Sequence, residues 1–513
     1  MTDFDKRIGQ RFVVGFHGLT APDYILEWLS TGRIGGVILF SRNVESPAQL
    51  ASLTRSLHEA SETPILIGID QEGGMVARLW QAQGFTESPG AMALAAAPDN
   101  GALTHRMSRI LGDEMLAMGI NWTYAPVVDL SYNAENPTVG TRSFGRDAQS
   151  VGELAAHATQ GFQAGGVMAC AKHFPGLGNT STDSHLDLPA LDTPLEQLIS
   201  EDLLPYRHVV DADIASIMTT HTIFNALDTE HPATLSETII QRLLREELNY
   251  DGLVVTDCLE MHAITKHYGE GESSVRGLLA GIDILLISHT RSHQEAAFEA
   301  VDKAVQAGRI PEANIASAYE RIMRDKQQYP VNVEAINAEA VGTDEHIQAS
   351  IEIAKACINL QGTLPTFADK RVGLVEFGAF MDSNVMDANG MDGLAPHLAN
   401  KLDNLSIATV HAITPDSAQI EYAKQVAGDC DVLIIVTRNA HVHDAQGTLA
   451  GDLLNTAGET VLVILRNPYD ADVLSADAVI STFSPSAPSL VAVTDALLGV
   501  YHPNGQRPVG AEA

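Results

Sequence analysis

Short apolar runs recur through the first 290 residues, separated by segments whose apolar positions repeat at helical spacing. The runs occupy 11–16, 34–40, 64–70, 120–129, 167–174, 215–221, 252–257 and 282–288. Runs this short, without strict alternation, read as parallel strands buried on both faces. Eight of them alternating with helices predict a (β/α)8 TIM-like barrel. Polar residues fall at the C-terminal ends of many runs: Asp70, Asp129, Lys172, His173, His221 and Asp257. Barrel enzymes build their active sites on that face.

The pattern breaks near Tyr329-Pro330, after a helix-like stretch over 313–328, so residues 1–330 form the expected catalytic barrel. Residues 331–345 are polar and acidic and read as a linker. A helix is expected over 346–359, with Ile347, Ile351, Ala354 and Ile358 on one face. Further apolar runs at 372–377, 405–410, 432–437, 461–465 and 479–483 alternate with helices. Residues 346–513 are therefore expected to form a smaller α/β domain, an αβα sandwich.

Composition narrows the function. The 513 residues carry 65 acidic and 31 basic side chains, a formal charge of −34. Such a surface argues against nucleic acid and anionic membranes as partners and otherwise reads as a solubility feature. The four cysteines, Cys170, Cys258, Cys357 and Cys430, are widely spaced and read as reduced core residues. A charged N-terminus followed by a short apolar run is neither a signal peptide nor a membrane span, and a cytoplasmic location is expected.

Residues 172–189 hold the densest candidate chemistry. An apolar run ends in Lys172 and His173, then passes through Pro175, Gly176 and Gly178 to Asp183 and His185. A histidine titrates near neutrality and suits proton donation and recapture, and a nearby aspartate would orient it. The alternative is a polar loop whose Asp and His make turn contacts. Asp257 ends the seventh run, where a carboxylate faces the barrel mouth as a nucleophile or, equally, caps a helix. Asp70, Arg78, Arg142, Lys172 and His173 have the donors and acceptors that sugar hydroxyls need, though each alone also suits a structural ion pair. His441, His443 and Asp444 have metal-like spacing but lack further ligands nearby, so no metal and no cofactor are expected.

Together these residues resemble glycoside hydrolase family 3, in its bacterial β-N-acetylglucosaminidase branch. The resemblance runs through Gly35-Gly-Val-Ile-Leu-Phe, Asp70-Gln-Glu-Gly-Gly, Ala125-Pro-Val-Val-Asp, Arg142-Ser-Phe-Gly, the 172–189 motif, Thr219-Thr-His and Val255-Thr-Asp-Cys-Leu-Glu-Met. It is looser in the second domain, at Arg466-Asn-Pro-Tyr-Asp. It implies a retaining, exo-acting hydrolase of terminal β-linked N-acetylglucosamine, acting on cell-wall fragments. Asp257 would be the nucleophile, and His185 paired with Asp183 the acid/base. Asp70, Arg78, Arg142, Lys172 and His173 would hold the sugar. The chain departs from the family at Leu177, where histidine is usual, and at Cys258, where a small residue is. Alternatives within the family are β-glucosidase activity and phosphorolysis, with inorganic phosphate in place of water. A neutral histidine does not repel phosphate as a carboxylate would. A non-catalytic glycan-binding protein is the alternative outside it. Oligomeric state is left open.

Overall fold

The computed structural model describes residues 6–180, 188–380 and 393–510. Asp183 and His185 lie outside the described residues. Eight parallel strands occupy the predicted runs: β1 (Phe12–Gly15), β2 (Gly36–Leu39), β3 (Leu66–Ile69), β4 (Trp122–Thr123), β5 (Cys170–Phe174), β6 (Ser216–Thr219), β7 (Leu253–Thr256) and β8 (Leu285–Ile287). They pair in the orders β8-β1-β2-β3-β4 and β5-β6-β7. Isolated parallel bridges, Trp122 to Met168 and Val127 to Lys172 on one side and Val255 to Ile284 on the other, join the two sheets at both edges.

Every residue of β1, β2, β3, β6 and β7 is buried, which is why these runs show no polar alternation. Alternate side chains nevertheless enter different cores. Val13, Ile38, Leu66, Trp122, Met218, Leu253 and Val255 meet in one cluster. Phe12, Val14, Val37, Leu39, Ile67 and Val254 pack outward among helices such as Asn100–Ala117 and Ala148–Ala164.

Helix Glu312–Gln328 ends against the start of the first strands. Its Ile322 joins the inner cluster, and its Lys326 Nζ donates to Gln10 Oε1 and to Gly35 O, the latter at 2.8 Å. Burial pushes the Lys326 ammonium down to about 7. An unfolded lysine binds its proton more tightly, so this group's contribution is complete above its ordinary pKa of 10.5 and is lost as pH falls through about 7. Lys326→Met should therefore narrow its stability gap to wild type as pH falls from 10 to 7, by up to roughly 1.4 kcal/mol per pH unit. Urea midpoints of both proteins across that range test this, and parallel pH curves would refute it.

Residues 331–345 run along the first unit, with Ile336 and Val341 buried and Asn337 N donating to Ala117 O at 2.9 Å. Helix Asp344–Cys357 follows. Its Ala349, Ile353 and Cys357 enter the outer core of the first unit, and its Ala354 enters the core beyond. It stops earlier than expected, because Asn359 starts a strand.

The second sheet contains β9 (Asn359–Gly362), β10 (Val372–Phe377), β11 (Leu405–Val410), β12 (Val432–Thr437), β13 (Glu459–Ile464) and β14 (Ala478–Ser481). Their order is β9-β14-β13-β12-β10-β11, parallel except for β9. Helices cover both faces: Ser417–Asp429 and Asp444–Leu454 on one, Asp344–Cys357 and Ala487–Leu497 on the other. No helix among the described residues is long and apolar enough to cross a membrane.

Candidate active site

Asp70 follows β3 directly, Lys172 and His173 lie on β5, and Asp257 follows β7. Neighbours on a strand normally face opposite ways, but the pairing register of β5 shifts between Lys172 and Phe174. Both Lys172 and His173 thereby line one cavity of about 510 Å³, together with Asp70, Arg78, Arg142 and Asp257. Six residues marked by the sequence thus share one space.

A buried charge network ties the cavity residues to Glu72. Lys172 Nζ lies 3.0 Å from Asp70 Oδ1 and 2.6 Å from Glu72 Oε1. Arg142 grips Glu72 with two bonds of 2.8 Å, through Nε and Nη2. Arg78 Nη2 reaches Asp70 Oδ2 at 3.3 Å. Burial would raise the Asp70 carboxyl, but Lys172 and Arg78 outweigh it and hold it well below the usual carboxylate range. Glu72 sits at about 2 for the same reason, with Arg142 and Lys172 prevailing over burial. On Lys172, burial works to lower the ammonium, yet Asp70 and Glu72 raise it. The network is therefore fully ionised at neutral pH and presents fixed charges to a polar ligand.

Glu72 reaches this position through the turn after it. Gly73 and Gly74 have φ of +88° and +60°, and a Cβ on Gly73 would lie 2.6 Å from the Ser88 side chain. Only glycine fits there without strain. On the other side, Asp129 anchors the stem of the glycine-rich stretch. Its Oδ2 lies 2.7 Å from His173 Nδ1, and its Oδ1 accepts from Leu177 N at 2.6 Å.

Asp257 is half-buried. Its Oδ1 accepts from Cys258 N at 2.7 Å, while the cap position of the next helical turn, His262–Thr265, belongs to Met261. The carboxylate therefore stands at the cavity wall without serving that helix as its cap. Cys258 beside it is buried, and burial pushes its thiol up to about 12, which leaves it protonated and unreactive at neutral pH. Glu72 was not marked as a site residue by the sequence; its partner Arg142 lies 70 positions along the chain.

His441 Nδ1 lies 2.7 Å from Asp470 Oδ1 and its Nε2 donates to Ala134 O at 3.1 Å, so the ring ties the second sheet domain to the first. Among the described residues no three His, Cys, Asp or Glu side chains converge as metal ligands would.

Comparison with known proteins gives the class. The model of the glycosyl hydrolase family 3 N-terminal domain matches residues 4–324. The chain belongs to glycosyl hydrolase family 3. It is 33% identical over 367 residues to β-hexosaminidase A of Pseudoalteromonas piscicida, a match covering 66% of this chain and 61% of that protein. The chain thus spans less than two thirds of that relative's length. It is 38% identical over 280 residues to a β-hexosaminidase of Thiobacillus denitrificans, covering 54% of this chain and 76% of that one. A family 3 β-N-acetylglucosaminidase structure from Paenibacillus sp. str. FPU-7 superimposes with a TM-score of 0.89 at 33% identity, over 99% of this chain and 98% of the other.

Proposed function

We propose that this chain is a retaining exo-β-N-acetylglucosaminidase that removes terminal β-linked N-acetylglucosamine, with cell-wall fragments as its substrates and the cytoplasm as its place of work. The observation that carries the proposal is the convergence of Asp70, Arg78, Arg142, Lys172 and His173 on the cavity that Asp257 lines. The names of the β-hexosaminidase relatives and of the Paenibacillus enzyme support the choice of sugar.

In this reading the two parallel sheets make one (β/α)8 barrel over residues 1–330, supported by the bridges at both sheet edges. Residues 331–345 connect it to a sandwich domain over 346–513. Asp70, ionised and held by Lys172 and Arg78, accepts from sugar hydroxyls, while Lys172, Arg142 and His173 donate. Asp257 attacks the anomeric carbon and forms a glycosyl ester as the glycosidic bond breaks. His185, oriented by Asp183, protonates the leaving oxygen and then takes a proton from the water that cleaves the ester.

The test is release of chromophore from an aryl β-N-acetylglucosaminide beside the matching β-glucoside, each with and without inorganic phosphate. A preference of at least about tenfold in kcat/KM for the N-acetyl sugar, with free sugar as product, is expected. Preference for the glucoside, or sugar 1-phosphate as product, would overturn the reading.

A further inference from the structure

The loop between Leu130 and Arg142 is held from two sides, and the two grips meet at the sugar cavity. On the outer side the second sheet domain takes hold of it. His441 Nε2 donates to Ala134 O, and the other ring nitrogen faces Asp470, whose side chain is fully buried. Tyr469 OH lies 3.4 Å from Ser131 Oγ, and the Asn467 side chain packs against Gly140, where a Cβ would sit 2.8 Å from Asn467 Oδ1.

On the inner side a single buried amide links two walls of the cavity. Asn136 Oδ1 accepts from Thr138 N at 2.9 Å, Thr138 Oγ1 at 3.1 Å and Val139 N at 2.9 Å. That fixes the turn whose Thr138 O takes Arg142 Nη1 at 2.9 Å. The same amide's Nδ2 donates among Gly178 O at 3.1 Å, Thr180 O at 3.0 Å and Leu177 O at 3.3 Å. Gly178 packs so closely that a Cβ would meet Leu130 O at 1.9 Å. The stretch from Leu177 to Thr180 is therefore registered against this loop by Asn136 and by direct backbone contact.

We propose that His441 and Asn136 are positioning residues, through which the second sheet domain fixes the Thr138–Arg142 and Leu177–Thr180 walls of the cavity. Neither lines the cavity that Asp257 faces. His441 sets the loop from outside, and Asn136 passes that placement to Arg142 on one side and to the stem of the 172–189 motif on the other. A buried amide whose donor and acceptor arms are both engaged has one low-energy placement, so moving Ala134 moves both walls together. The kinetic part of this inference rests on the function proposed above; the structural part does not.

The experiment uses the full chain and measures backbone hydrogen exchange together with kinetics on the aryl N-acetylglucosaminide. The Leu177 N–H, bonded to Asp129, and the Thr180 N–H, bonded to Leu177 O, are the reporters. His441→Ala should speed exchange at both by about tenfold, as for a local opening, and lower kcat/KM by about thirtyfold. His441→Gln keeps a donor and should recover most of both. Asn136→Asp keeps the acceptor arm but loses the amide donor, and should loosen Leu177 and Thr180 as His441→Ala does. The double variant His441→Ala/Asn136→Asp should lose less than the product of the single losses, because both act on one loop. Unchanged exchange in His441→Ala, or strictly multiplicative losses, would overturn the inference. Should the wild type cleave no β-glycoside, the proposed function fails while exchange still decides this point.

Discussion

Replacing Asp257 with asparagine is expected to lower kcat on an aryl β-N-acetylglucosaminide by on the order of 10⁴-fold or more, with the fold intact. In the proposed mechanism the effect is large because the change removes the carboxylate oxygen that would form the covalent bond. An amide is almost the same size, and its oxygen can still accept from Cys258 N as Asp257 Oδ1 does. Packing around Leu259 and Val255, both fully buried, is left undisturbed. Substrate binding should largely survive, since the charges proposed to hold the sugar, on Asp70, Arg78, Arg142 and Lys172, are left in place. The expected signature is thus a collapse of kcat with KM changed little. The wild type should release the β-anomer first, as two successive displacements at one carbon require. Steady-state kinetics with proton NMR of early product checks both points. A variant retaining activity within tenfold of wild type would remove Asp257 from the chemistry.

What was legible in the sequence follows from the range over which each signal acts. The eight strands of the first unit stood out because a strand buried on both faces is largely apolar, a property of a few consecutive residues. Asp70, Lys172, His173 and Asp257 were legible because they sit where those runs end. Strand β9 was not. Its Asn359-Leu-Gln-Gly sequence lacks strand character, and it exists because Ala478–Ser481 offers it an antiparallel edge. The polar stretch 331–345 likewise conceals Ile336 and Val341, whose burial depends on surfaces far away in sequence. Glu72 shows the same limit within the site. It is an acidic residue beside two glycines until folding brings Arg142, 70 positions on, into a two-bond grip. Asn136 is a loop asparagine by sequence, and its bonds to Gly178 and Thr180 exist only in the fold.

Glu72→Gln is expected to cost about 3–5 kcal/mol at pH 7, because Arg142 and Lys172 would remain buried with one carboxylate fewer between them. The pH dependence identifies the cause. Glu72 titrates at about 2 in the folded chain against an ordinary value of 4.5, so the folded state holds its proton less tightly than the unfolded one. Its contribution is therefore fully present above about pH 4.5 and is lost as pH falls towards 2, an amount of roughly 3 kcal/mol by linkage. Glutamine does not titrate, so the gap between wild type and variant should be widest near neutrality and close steadily below pH 4.5. Urea midpoints of both proteins between pH 7 and pH 3 measure this directly. Activity should fall with stability, by about 10²-fold in kcat/KM, since the Arg142 guanidinium loses the partner that aims it into the cavity. A gap that stays constant across the acid range would mean that Glu72 contributes by packing and hydrogen bonding alone. The ionised network would then not be what holds Arg142 and Lys172 ready for a sugar.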